Sequence, residues 1–65
     1  MSMSKQINEL RNKCNLEADN SRTKIDELLA YAHYENMLHA IGGEFTKRRR
    51  IIFKKLEKKF YQDKL

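Results

Sequence analysis

The sequence has no proline, no tryptophan, one cysteine and only two glycines, which are adjacent at Gly42-Gly43. Because proline is the strongest helix breaker, its absence favours long helices, and we predict an all-α fold. A single cysteine excludes a disulfide framework, and a lone thiol without a signal peptide predicts a reducing, cytosolic setting. No apolar run approaches the roughly 20 residues that span a bilayer, so no membrane segment is predicted.

Residues that could support catalysis are also scarce. There is no glycine-rich phosphate loop and no recognisable pair of catalytic carboxylates, and 65 residues leave little volume for a pocket. His33 and His39 are six positions apart and would face different sides of a helix, so no metal site is predicted. Cys14 has no neighbour in sequence that would activate a thiolate. We therefore expect no enzyme activity, cofactor, metal or small-molecule substrate.

Charge is distributed unevenly along the chain. Residues 44–65 carry nine Lys and Arg against three acids, a net charge of +6, whereas residues 1–43 carry five against six, a net charge of −1. A strongly cationic segment joined to a nearly neutral one is typical of a protein with an acidic partner. Nucleic acid, a membrane surface and an acidic protein surface all fit this pattern.

Residues 1–43 show an apolar stripe in steps of three and four, which predicts a long N-terminal helix of about 60 Å. Ser2 or Ser4 is its expected N-cap. A shorter second helix would cover only half of this stripe, so we expect a homodimer through the first helix. Its orientation stays open, with a close antiparallel crossing slightly favoured by the small residues at mid-length. The predicted dimer interface comprises Ile7, Leu10, Cys14, Ala18, Ile25, Leu28 and Ala32.

Two positions could interrupt the helical pattern. Residues 19–21 are poor helix formers, and Asp19, Asn20 or Ser21 could cap a new helix there. We expect one continuous or kinked helix, because the stripe keeps its phase across this stretch. Gly42-Gly43 ends the helix, either as a tight turn or as a flexible hinge.

Residues 44–65 predict a shorter basic C-terminal helix, with Glu44 in its first turn. Two residues break the separation of its apolar and cationic faces. Ile51 lies among the cations, which suggests a contact point, and Arg49 lies in the apolar face, from which its head could reach Glu35 or solvent. The apolar face itself consists of Phe45, Ile52, Phe53, Leu56 and Phe60.

The tetrapeptide Arg50-Ile51-Ile52-Phe53 within this basic helix resembles the capsid-binding motif of the capsid morphogenesis protein B family of staphylococcal pathogenicity islands. The resemblance implies an internal scaffolding protein that redirects assembly of a helper-phage major capsid protein towards small shells. It further implies a location in the bacterial cytoplasm, inside assembling procapsids. The expected capsid contacts are Arg50, Ile51, Ile52 and Phe53. We add the adjacent Lys54 and Lys55 to this set on chemical grounds.

This interpretation contains a conflict, because Ile52 and Phe53 cannot be buried against the first helix and also hold a capsid protein. Either the C-terminal helix swings out at Gly42-Gly43, which we favour, or Arg50 and Ile51 on its outer face do most of the binding. The main alternative function is a dimeric helical hairpin that binds RNA or DNA through the basic helix. An inhibitor that docks in a host-protein groove and a helix at a membrane surface are weaker alternatives.

Overall fold

The computed structural model describes residues 3–64, with side chains for residues 3–62, and this range forms three helices and no strand. They are α1 (Met3–Asp19), α2 (Lys24–Ala40) and α3 (Lys47–Lys64). The all-α prediction is therefore confirmed. The overall dimensions are 45 × 21 × 18 Å. Ser4 lies inside α1 and is not an N-cap, while Ser2 lies outside the described residues.

The single long helix predicted for residues 1–43 is wrong, because the chain turns back at residues 20–23 and α1 packs against α2. Thr23, which lies after the predicted caps, is the N-cap of α2 and has an extended backbone. Its hydroxyl accepts a hydrogen bond from the Asp26 amide at 3.1 Å. The Ser21 hydroxyl donates to the Glu17 carbonyl at 2.8 Å at the end of α1. Local polar contacts thus stabilise a helical hairpin.

The apolar stripe is buried within this hairpin. Cys14 and Ala18 are buried, and their small side chains allow α1 and α2 to approach closely. Four other residues of the predicted dimer interface are partly buried against the same core, namely Ile7, Leu10, Leu28 and Ala32. Only Ile25, at 54% exposure, remains on the surface. The residues of the predicted interface therefore lie largely in or against the core of the single chain.

A glycine turn ends α2. The Gly43 amide donates to the Leu38 carbonyl at 2.7 Å and the Gly42 amide donates to the His39 carbonyl at 3.1 Å, the pattern of a Schellman motif. Gly42 has φ of 78°, the left-handed conformation that glycine adopts without penalty. Gly43 is buried directly against Ile7, which links this turn to α1.

The segment between α2 and α3 is held against the hairpin. The Arg11 guanidinium donates from Nε to the Glu44 carbonyl at 2.7 Å. The Thr46 hydroxyl accepts from the Arg49 amide at 3.4 Å, and α3 begins at the next residue, Lys47. Glu44 therefore precedes α3. The prediction that Glu44 lies in the first turn of this helix is wrong.

The core is centred on Tyr31, which is fully buried. Its ring stacks on Phe53 with 5.7 Å between ring centroids, and Phe45 meets Tyr31 edge-on at 5.6 Å. Such aromatic pairs add about 0.5–1.5 kcal/mol each beyond burial of their area. From α3, Ile52 and Leu56 also pack against this cluster. The N-terminal half of α3 is thereby attached to the hairpin.

Replacement of Gly43 by alanine should destabilise the fold by about 1–3 kcal/mol, because the new methyl group would lie 2.8 Å from Ile7 Cγ1. Thermal and urea unfolding measure this change. Gly43→Ala should be partly rescued by Ile7→Ala, since the smaller side chain removes the clash.

Gly42→Ala is the matched control, because a Cβ there would meet nothing within 4 Å and only the positive φ is penalised. A loss of about 1 kcal/mol is expected, and it should add to the effect of Ile7→Ala without coupling. Equal coupling of Ile7 to both glycines would contradict the proposed contact.

Candidate binding surface on the third helix

The outward side of α3 presents an isoleucine surrounded by cations. Ile51 is 47% exposed, although it is a large apolar residue. Its neighbours three and four positions away along the helix are Lys47, Arg48, Lys54 and Lys55, all of which are exposed. We call these five residues the basic face. The helical repeat places them together, because residues three and four apart lie on the same side of a helix.

The cations of the basic face have no acidic partner among the side chains that the structure describes. Within the described residues, Lys47, Arg48, Lys54 and Lys55 form no ion pair, and neither do Lys58 and Lys59 further along α3. Like charges at these spacings destabilise a helix by a few tenths of a kcal/mol per pair. An anionic partner would remove this repulsion, so the face is suited to binding an acidic surface.

The six residues predicted to contact a capsid protein do not lie on one surface. Phe53 is 4% exposed in the aromatic core, and Ile52 is half-buried beside it. Ile51 and the lysines at positions 54 and 55 point outward. Arg50 is also exposed, and its guanidinium pairs with the Glu44 carboxylate at 3.2 Å. In the folded chain only Arg50, Ile51, Lys54 and Lys55 are accessible to a partner.

Arg49 connects all three helices. Its guanidinium donates to the Asp19 carboxylate at 3.1 Å, at the end of α1, and to the Tyr31 hydroxyl at 3.0 Å in α2. The hydrogen bond with Asp19 raises the pKa of Arg49, so its charge is retained. The last turn of α1 has no basic residue of its own, and Arg49 provides a cation near this C-terminus. The sequence-based expectation of Glu35 or solvent as its partner is wrong.

Sequence reasoning missed this link because Asp19 and Arg49 are 30 residues apart. One signal was available: Arg49 interrupts an apolar face, and a cation there needs a partner on the surface it contacts. Asp19, at the end of a helix where an acid is unfavourable, is a natural choice. The match becomes visible only once α1 and α2 form a hairpin.

A cleft of about 220 Å³ lies between α2 and α3 beside the basic face. Its lining includes the carboxylates of Glu35, Glu44 and Glu57 and the cations of Arg50 and Lys54. Within the described residues, no group of three His, Cys, Asp or Glu side chains is placed to hold a metal ion. None of the helices in residues 3–64 has the length and apolar character needed to cross a membrane.

Cys14 is a packing residue in this structure. Burial raises the pKa of its thiol to about 11, although the Arg49 guanidinium nearby lowers it. The thiol is therefore protonated at neutral pH and is a weak nucleophile. This agrees with the interpretation of Cys14 as a small apolar residue.

Comparisons of the chain with protein-family models, with curated proteins and with solved structures find no match. The function proposed below therefore depends on the chemistry of the basic face and on the resemblance carried by the tetrapeptide at residues 50–53 of the same helix.

Arg49→Ala should lower the free energy of unfolding by about 1–2 kcal/mol, because it removes the bonds to Asp19 and Tyr31. The ion pair with Asp19 should account for only a small part of this loss, since the Asp19 side chain is 62% exposed and solvent screens the pair. Arg48→Ala is the control, as Arg48 is exposed and unpaired within the described residues, and should change stability by less than about 0.5 kcal/mol. Urea unfolding measures both, and equal effects would contradict the link.

Alkylation of Cys14 by iodoacetamide at pH 9 should be at least about 50-fold slower in the folded protein than in urea, because the thiolate is about 1% populated with a pKa near 11 and half populated at 9.0, and because the side chain is also buried from the reagent. The protonated thiol also stabilises the fold below pH 9, and this stabilisation is lost as pH rises through 11. Cys14→Ala should remove that part of the pH dependence. Equal alkylation rates in both states would contradict burial of the thiol.

Proposed function

We propose that this protein is an internal scaffolding protein of a phage satellite, and that it binds the inner surface of a phage major capsid protein through the basic face of α3. The observation that carries the proposal is Ile51, exposed at the centre of unpaired cations. An apolar contact within a charged ring is typical of protein interfaces, where a central apolar anchor supplies energy and the surrounding charges supply orientation.

The proposed contacts are Ile51, Lys54 and Lys55 of the basic face, together with Arg50, which is exposed beside it. Ile52 and Phe53 do not contact the partner in this proposal. They pack on the hairpin and thereby hold α3 in place. A version in which α3 swings out would first have to expose Phe53, which costs about 1.5–3 kcal/mol, and break the hydrogen bonds of Arg49. A small interface provides little binding free energy to offset this cost. We therefore favour binding through the outer face of α3, which leaves the core intact.

The C-terminal part of α3 extends the proposed surface. Among the described residues, none beyond Leu56 packs in the hydrophobic cluster. Lys58 and Lys59 are exposed there, as is Tyr61, at 63% exposure. This part of the helix can contact a partner without disturbing the core. The proposed setting is the bacterial cytoplasm, inside assembling procapsids.

A second candidate function is binding of RNA or DNA phosphates. It is favoured by six cations of α3 that have no ion-pair partner among residues 3–62, and these would release counterions on binding. The two candidates differ in what they require of Ile51. A capsid contact depends on its apolar side chain, whereas phosphate contacts depend on the lysines and on salt concentration.

We expect Ile51→Ala to weaken binding to a major capsid protein at least tenfold, because it removes the central anchor. The decisive measurement is co-expression of the chain with a major capsid protein from a phage of the same host, followed by electron microscopy of shell diameters. Wild-type chain should yield smaller shells, and Ile51→Ala should restore normal ones. Met37→Ala, at an exposed position of α2, is the control and should keep the small shells.

Shells of unchanged size with wild-type chain, together with no binding to the isolated capsid protein, would refute the scaffolding role. If the chain binds nucleic acid instead, affinity should depend on the lysines and not on Ile51. Ile51→Ala would bind within about twofold of wild type, and removal of Lys54 and Lys55 would reduce the slope of affinity against salt by about two.

A further inference from the structure

The helical hairpin carries a shallow groove on a surface to which α3 contributes no residue. Its volume is about 510 Å³, and it is lined by Leu16, Glu17, Asn20, Ser21, Asp26, Leu29 and Ala30. Leu16 is 64% exposed and Leu29 is 60% exposed, which is unusual for two leucines that share one groove. The two ionisable residues that line it, Glu17 and Asp26, are both acidic.

We propose that this groove binds the basic face of α3 from a second copy of the chain. The two surfaces are complementary in chemistry. The groove has an apolar floor and two carboxylates, and the basic face has one apolar residue with four cations around it. Ile51 would enter between Leu16 and Leu29, and the surrounding Lys and Arg side chains would pair with the two acids.

The charge of the whole chain supports pairing between unlike halves. Residues 1–43 have a net charge of −1 and residues 44–65 a net charge of +6, so contact between a hairpin and a foreign α3 is attractive. The net charge of +5 per chain opposes association in general. At physiological salt this repulsion is screened beyond about 8 Å, whereas pairs in direct contact are screened less.

The chain's own α3 does not supply this contact in the structure. Phe53 and Arg49 fix α3 to the hairpin through its opposite side, and the basic face points away from the core. The groove and the basic face of one molecule are therefore both free. Since they are different surfaces, the association is head-to-tail and can extend beyond a dimer unless the geometry closes.

The association occupies the same face as the proposed capsid contact, so an acidic capsid surface would compete with the second copy. It does not depend on that function, because the surfaces that form it are both present in the isolated chain. Tests on the purified chain alone therefore distinguish it from the scaffolding role.

Two variants each remove one side of the contact. Leu29→Lys places a cation in the groove, where it repels the basic face, and Ile51→Glu replaces the apolar centre with an acid that opposes Glu17 and Asp26. Both positions are exposed on helices, so the fold should be retained, which circular dichroism verifies. The matched controls are Met37→Lys on α2 and Met3→Glu on α1, both exposed positions outside the lining of the groove.

Sedimentation equilibrium of the full-length chain is the measurement. Wild-type chain should gain mass above 7.8 kDa as its concentration rises from about ten to several hundred micromolar. Both single variants should associate at least tenfold more weakly, and both controls should behave as wild type. Mixed together, Leu29→Lys supplies an intact basic face and Ile51→Glu an intact groove. The mixture should therefore form a 1:1 complex of twice the chain mass that does not grow further.

Three results would overturn the proposal. Wild-type chain that stays at 7.8 kDa throughout would show that the groove does not bind a second copy. Loss of association in Leu29→Lys but not in Ile51→Glu would show that two grooves pair with each other. Failure of the two variants to complement, with both folded, would exclude contact between these surfaces.

Discussion

The packing of α3 against the hairpin depends on the contacts of the Tyr31 side chain. Its buried ring packs against Phe53 and Phe45, and its hydroxyl accepts from Arg49, which also binds Asp19. Apolar and polar contacts from all three helices therefore converge on one side chain. The aromatic contacts hold α3 against α2, while the Arg49 hydrogen bonds fix the direction in which α3 leaves the hairpin. The orientation of the basic face follows from this arrangement, because the same helix turns Phe53 inward and Ile51 outward.

The hairpin provides the surface on which that arrangement is built. Small side chains at Cys14 and Ala18 let α1 and α2 approach closely, and Gly43 does the same where the turn contacts Ile7. A chain of 65 residues has little apolar area to bury, so close approach compensates for a small core. In this protein the apolar stripe that resembles a dimer seam serves to bring two parts of one chain together.

Composition and helical periodicity predicted the helical class, the end of a helix at Gly42-Gly43 and the two sides of α3, but left open whether the glycines form a turn or a hinge. They did not predict the break at residues 20–23, because an apolar stripe keeps its phase whether it pairs with another chain or folds back on itself. The possible caps at Asp19, Asn20 and Ser21 counted for less than this continuity, and the actual N-cap, Thr23, follows them. The partner of Arg49 was also missed, since it depends on the hairpin. Within the tetrapeptide at residues 50–53, the sequence identified the conflict between burial and binding, and the structure shows which residues lie on each side.

The division of α3 along its length has a consequence for how the protein can change over time. Residues up to Leu56 are constrained by packing, whereas the turns that follow lie outside the hydrophobic cluster among the described residues. Substitutions at exposed positions of those last turns, such as Lys58 and Lys59, can alter charge and shape while the fold keeps its stability. One continuous helix thus combines a fixed packing role with positions open to adaptation, and a lineage could acquire new binding preferences there without rebuilding the domain.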